Sequence, residues 1–322
     1  MENSTSPSGN IFQITSFNSK AAEIVRTVLV ILTLLCFCFF IYFIAVILNV
    51  YFTAPHVKEN ARYILFAHML IIDTLYLVTG LILLLCALYV IYIPVPICYT
   101  ILTLASSTFR ITPYNLAAMA LERYIAVCYP LRHVTFCTPS RSNVAIATMC
   151  VIGLIPNVAD FIVLSTSVNR KYFSIDIICS RDNMIFNALQ RDIRSFATII
   201  SLTLVAVIIL LTYIKVMMVA RQISSGSSSA FKAGKTVMLH AFQLLLCMTS
   251  LTSSFTEPYF KNNVMFFVIG NFLLFMCLPR FLSPLIYGIR DEAFKQCFRK
   301  LYNFKTFINL KIKSSKCDVI AS

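Results

Sequence analysis

The chain has 322 residues, of which 59% are hydrophobic and 12% charged, with a net charge of +14 and a mean hydropathy of +0.82. Soluble domains carry about 25% charged residues, so a soluble fold has nowhere to put this much apolar surface, and bilayer-spanning segments of roughly 20 apolar residues each are the alternative. The basic residues flank apolar runs instead of forming one basic face, which excludes a nucleic-acid-binding reading and matches the positive-inside pattern of membrane proteins.

Residues 1–23 are polar and read as an extracellular tail, with a glycosylation sequon at Asn3-Ser4-Thr5. No cleavable signal peptide is evident; the first apolar run, 24–52, is long enough to span and acts as the insertion signal. A connector from Thr53 through Pro55 to Asn60 leads to a second run at 61–90, and Ile93-Pro94-Val95-Pro96 leads to a third at 99–127. Further runs cover 143–165, 194–220, 235–256 and 264–288, the fifth and sixth being separated by a Gly/Ser stretch from Ser224 to Ser229. The expectation is an all-α membrane protein: one seven-transmembrane helix bundle over 24–290, without internal repeats, and a cytoplasmic segment at 291–322. In that segment Ala293, Phe294, Cys297, Phe298 and Leu301 fall at helical spacing, as in a short amphipathic C-terminal helix lying on membrane lipid. With the N-terminus outside, the inner side holds 17 of the 27 Lys and Arg and the outer side 8, leaving Arg110 and Arg280 inside spans. That bias sets the N-terminus out and the C-terminus in.

Ionisable groups within spans are expensive and need partners. Asp73 lies 11 residues beyond Arg62, and Arg280 lies 10 residues before Arg290, which places both about 15–16 Å inward at the helical rise. Their similar depth leaves two readings: an ion pair, or an Arg280 that snorkels elsewhere beside a protonated Asp73. Arg110 stands 13 residues before Arg123, about 20 Å up the same helix. Its candidate partners are Asp160 in the fourth span and an anionic ligand held bidentately.

The stretch Met119 to His133, MALERYIAVCYPLRH, resembles the third-helix end of rhodopsin-like receptors, and Cys128-Tyr129-Pro130-Leu131-Arg132-His133 narrows the likeness to odorant receptors. Pro130 to His133 reads as a turn leaving the membrane. The ending Pro279-Arg280-Phe281-Leu282-Ser283-Pro284-Leu285-Ile286-Tyr287 resembles the family's Asn-Pro-x-x-Tyr, with Ser283 where Asn is usual. Pro284 frees a carbonyl and bends the helix, and Tyr287 becomes a movable polar group. Lys232 to His240 is similar to the start of the sixth odorant-receptor span. The wording of Phe109-Arg110-Ile111-Thr112-Pro113 and His240-Ala241-Phe242-Gln243-Leu244-Leu245-Leu246-Cys247 is most like fish odorant receptors. The chain has no Trp, and its fifth and sixth spans hold no Pro. The usual aromatic switch above the helix-six bend therefore cannot operate, a departure that odorant receptors often share.

The resemblance implies a plasma-membrane receptor that binds a small-molecule odorant and activates a heterotrimeric G protein, the stimulatory one that raises cyclic AMP, with no cofactor. It implies a disulfide between Cys98 and Cys179, both at outer positions, and a cavity between spans three, five, six and seven, with Ala105, Ser106, Phe109 and Arg110 in its wall. Glu122 would hold Arg123 at the inner end, beside Tyr124, until a G protein docks. His240 would meet Tyr213 or the third-helix end during activation, or stand as a capped interfacial histidine. Asn49, Asp73, Arg280 and Ser283 would form the buried polar centre, where the family's aspartate often helps hold a sodium ion and Arg280 would replace it. Cys297 and Cys317 are candidates for acylation. The alternatives are a rhodopsin-like receptor for a non-odorant ligand, which for an amine would want an acid where Ala105 stands, and a transporter, which would want charges lining a path or paired broken helices. No nucleophile–base set or Cys/His metal spacing suggests an enzyme or a zinc site.

Overall fold

A computed structural model describes residues 8–53, 59–180, 182–223, 242, 245, 269–270 and 272–282. Within them the chain forms the long helices α1 (Ser8–Thr53), α2 (Ala61–Leu88), α3 (Val95–Cys128), α4 (Pro139–Ser167) and α5 (Ala188–Ile223). A short inner helix, Pro130–Phe136, joins α3 to α4 where a turn was expected. In the seventh span a π-helical turn, Phe272–Cys277, continues as helix through Leu282. Most of the sixth span, the end of the seventh and the amphipathic C-terminal segment lie outside the described residues, as do Asn3, His240, Ser283, Pro284, Tyr287, Cys297 and Cys317.

Local chemistry sets the helix ends. The Asn60 side chain accepts from the Arg62 amide at 3.1 Å and starts α2. The Thr138 hydroxyl accepts from the Arg141 amide at 3.3 Å and starts α4. Both satisfy amides that the first turn leaves without partners. Proline opens α3, α4 and the short inner helix, where its missing N–H costs nothing. The helix α1 begins at Ser8, well before its apolar part at Glu23–Asn49, so the helix runs into the tail.

Among the described residues, four helices are long and apolar enough to cross a membrane: Glu23–Asn49, Ala61–Leu88, Pro139–Ser167 and Ala188–Val219. The helix α3 is more polar because it sits centrally, packed on α2, α4 and α5. Its buried Ser107, Thr108, Arg110, Thr112, Asn115 and Glu122 meet neighbouring helices or their own backbone. The reverse holds for α4, which buries only the stripe Ser142, Met149, Gly153, Asn157, Asp160 and Leu164. Its other faces expose Val151, Ile155, Val158 and Ile162, a composition that suits lipid and not water. A core of Phe40, Ile44 and Ile47 from α1, Met69 and Leu70 from α2, Leu116 and Ala120 from α3 and Val205 from α5 fills the inner half.

Two glycines set the closest approaches. A Cβ on Gly80 of α2 would stand 2.7 Å from Met276 Cε, so this glycine seats the π-helical turn. A Cβ on Gly153 of α4 would stand 2.7 Å from Ile111 Cγ1 of α3. Gly153→Val should therefore wedge α4 from α3 at a cost of about 1–3 kcal/mol, read as a lower melting temperature of the detergent-solubilised protein. An unchanged melting temperature would show that the helices part without loss.

Over the outer end, β1 (Tyr92–Pro94) pairs antiparallel with β2 (Asp176–Ile178), Tyr92 facing Ile178 and Pro94 facing Asp176. The ladder is extended by the Val95 amide, which donates to the Ile175 carbonyl at 3.1 Å. The α4–α5 loop is thereby tied across the start of α3.

Candidate functional site

The chemistry is strung along α3. At its outer end Cys98 and Cys179 are joined in a disulfide, both buried, with Cα atoms 5.4 Å apart and a sequence separation of 81. Val95, Met184 and the partly buried Tyr172 and Ile177 pack around it. The Tyr172 hydroxyl donates to the Asn183 carbonyl at 3.2 Å, and burial raises its phenol above the usual tyrosine value. The loop is thus pinned by a covalent bond, a strand pair and an apolar cluster. Cys98→Ser or Cys179→Ser should lower surface expression and ligand response together, since each removes the same clamp. Mass spectrometry that finds both thiols free in folded protein would rule the clamp out.

Two to three helical turns inward, α3 meets α4 in a polar network. The Ser106 hydroxyl donates to Asn157 Oδ1 at 2.7 Å, and Arg110 Nη2 donates to the same oxygen. Asn157 Nδ2 donates to the Thr103 carbonyl at 3.3 Å. Asp160, one of the two candidate partners for Arg110, is engaged by Arg194 of α5, whose Nε and Nη2 lie 2.7 and 2.8 Å from its two oxygens. The physical reason is height: Asp160 is almost a turn further out than Asn157, level with the start of α5 and with Tyr99, whose hydroxyl donates to Asp160 Oδ2 at 3.3 Å. Of the four expected wall residues, Ser106 and Arg110 face Asn157 on α4, Ala105 is buried, and Phe109 turns towards α2. They do not share one face.

At mid-depth Asp73 and Arg280 come together, with Arg280 Nε 3.6 Å from Asp73 Oδ1 and Arg280 only 1% exposed. The Thr112 hydroxyl donates to the same Asp73 oxygen at 2.9 Å. The Arg280 guanidinium carbon stands 4.2 Å from the centroid of the Tyr76 ring and 5.7 Å from that of Phe109. Those two rings lie 5.9 Å apart. Asn49, expected in a buried polar centre, is exposed on α1. It follows Ile47 by two residues, about 200° around the helix, while Phe40, Ile44 and Ile47 take the buried side.

At the inner end Glu122 is buried, its side chain 7% exposed, and the side chains of Arg123 and His133 share it. Arg123 Nε lies 3.5 Å from Oε2, and His133 Nε2 of the short inner helix lies 3.0 Å from Oε1. Arg123 Nη2 is buried with no hydrogen-bond partner among the described residues. The Tyr124 ring packs edge-on against Tyr129 at 5.8 Å, and Tyr213 sits half-buried on α5. Burial, and then the Glu122 charge, raise the thiol of Cys137 just past the short helix. Sequence reasoning missed Asn157, Thr112, Arg194 and His133 as participants. For His133 the available signal was Pro130 in the first turn of a helix.

A family model described as 7 transmembrane receptor (rhodopsin family) matches residues 52–287. That stretch holds every described site residue except Asn49. Odorant receptor 131-2 of Danio rerio is 31% identical over 251 residues, covering 76% of this chain and 77% of that protein. Olfactory receptor 6K3 of Homo sapiens is 25% identical over 209 residues, 60% of each chain. Olfactory receptor 52A5 of Homo sapiens is 26% identical over 204 residues, 59% of this chain and 62% of its own length.

Proposed function

The chain belongs to the rhodopsin family of seven-transmembrane receptors, and from that membership we propose that it is an odorant receptor. It is a multi-pass membrane protein and not an enzyme. A small-molecule odorant binds within the helix bundle under the loop carrying Cys179, and the receptor then activates a heterotrimeric G protein, the stimulatory one that raises cyclic AMP. The N-terminus faces outward and the C-terminus inward, as the distribution of Lys and Arg supports.

The observation that carries the reading is the single helix α3, which bears the clamped outer loop at Cys98 and the restrained Glu122–Arg123 pair at its inner end. The 25 residues between Cys98 and Arg123 span about 38 Å of helix, enough to connect the two sides of a bilayer. An odorant that favours one arrangement of the bundle shifts the population towards it, while equal affinity for both would shift nothing. Asp73 and Arg280 set the stiffness of that bundle, the arginine taking the place of the family's sodium ion.

The test is a cyclic AMP reporter screen of the surface-expressed receptor against amino acids, bile acids, amines, steroids and small volatiles. The expected result is a saturable response to one class that disappears when Cys98 or Arg123 is replaced. A response carried by peptides alone would move the chain to a non-odorant receptor of the same family.

A further inference from the structure

The short inner helix is joined to the bundle by few contacts. None of its residues is buried, and Leu131 is 93% and Val134 77% exposed. Its first turn is closed by the Arg132 and His133 amides donating to the Tyr129 carbonyl, each at 3.0 Å, and its end by the Cys137 amide donating to the His133 carbonyl at 2.8 Å. Near the end, Arg141 places its guanidinium 5.2 Å from the centroid of the Phe136 ring. Among the described residues, the His133 side chain reaches into the bundle to Glu122.

We propose that His133 is a positioning residue for G-protein coupling: from the short inner helix it orients the Glu122 carboxylate so that the other oxygen faces Arg123. This rests on the receptor reading above. A carboxylate only accepts, so His133 Nε2 carries the proton and donates. At 3.0 Å this contact is closer than the 3.5 Å between Glu122 Oε2 and Arg123 Nε. The tighter bond sets the plane of the carboxylate, and the looser one depends on it. Arg62 of α2 adds a second positive charge acting on Glu122, but it is on a long packed helix, whereas His133 is on the element with the least burial. A G protein seated on Leu131 and Val134 displaces that element, draws His133 from Glu122, and slackens the hold on Arg123. Elements with few buried contacts are the ones that move at low cost.

The experiment measures basal cyclic AMP per receptor at the cell surface, with Arg123→Ala as the zero. His133→Ala should raise basal signalling about fivefold, the low end of usual couplings between two sites. His133→Gln, which keeps a donor at the Nε2 position, should match the parent. His133→Glu, which sets a like charge against Glu122, should exceed His133→Ala. In a Glu122→Gln background His133→Ala should add nothing further, because both changes remove one restraint. Should His133→Ala fail to reach the surface, the Gln and Glu variants decide the matter by the same comparison. Equal basal signalling in the Gln and Glu variants, or effects of His133 and Glu122 that simply multiply, would overturn the role of His133 and leave the receptor reading intact. A parent protein no higher than Arg123→Ala, with or without odorant, would overturn both.

Discussion

The Arg123→Ala protein should reach the cell surface in normal amount and give no odorant-driven cyclic AMP. Two observations separate these outcomes. Removing Arg123 does not strand Glu122, because His133 still donates to its Oε1 and Arg62 still acts on it. The Arg123 side chain is 23% exposed, and its loss leaves the buried Glu122 carboxylate still hydrogen-bonded, so folding survives. Signalling has no such reserve. Arg123 Nη2 is buried without a hydrogen-bond partner among the described residues, a donor held ready at the inner face, and alanine offers nothing in its place. Glu122→Gln acts in the opposite direction: it weakens the restraint and should raise basal activity while leaving the odorant response in place. Full odorant-driven cyclic AMP from surface-expressed Arg123→Ala would remove this residue from the coupling machinery.

What was legible in the sequence was what depends on distance along a helix axis. Rise per residue is fixed, so the similar depth of Asp73 and Arg280 could be reckoned from Arg62 and Arg290, and the structure places the two 3.6 Å apart. Direction around the axis was harder. Asn49 has the depth of a buried polar group but lies about 200° from Ile47 and is exposed. Ser106 and Arg110, spaced as one face of α3, turn towards Asn157 because α4 lies on that side, which composition does not reveal. Arg194 was counted with the outer charges since it opens the fifth apolar run. Its pairing with Asp160 depends on α4 and α5 being neighbours at that height, a tertiary fact. His133 was read into a turn because seven residues between two long helices carry little periodic signal. The central helix was legible for the opposite reason, as α3 has polar groups at many heights and still spans.

Neutralising either Asp73 or Arg280 alone should be the most destabilising change in the bundle, costing about 3–5 kcal/mol because the remaining charge is left buried. Asp73→Asn and Arg280→Met should each lower the melting temperature of the solubilised receptor, and the two together should cost less than either alone, since no charge is then stranded. The exchanged pair, Asp73→Arg with Arg280→Asp, should recover only part of the loss. The rest of the site is built for one polarity: Thr112 donates to the Asp73 carboxylate at 2.9 Å, and the Tyr76 and Phe109 rings stand 4.2 and 5.7 Å from the Arg280 guanidinium. A desolvated cation on such a ring gains about 2 kcal/mol, whereas a carboxylate beside the ring face gains nothing. The same geometry bears on salt. Because the covalently attached cation already occupies the place beside Asp73, the odorant response should be the same in sodium as in a bulky organic cation at equal ionic strength. A response that changes severalfold between those two media, or single and double neutral variants whose losses simply add, would mean that Arg280 is not the counter-ion that holds α2 to the seventh span.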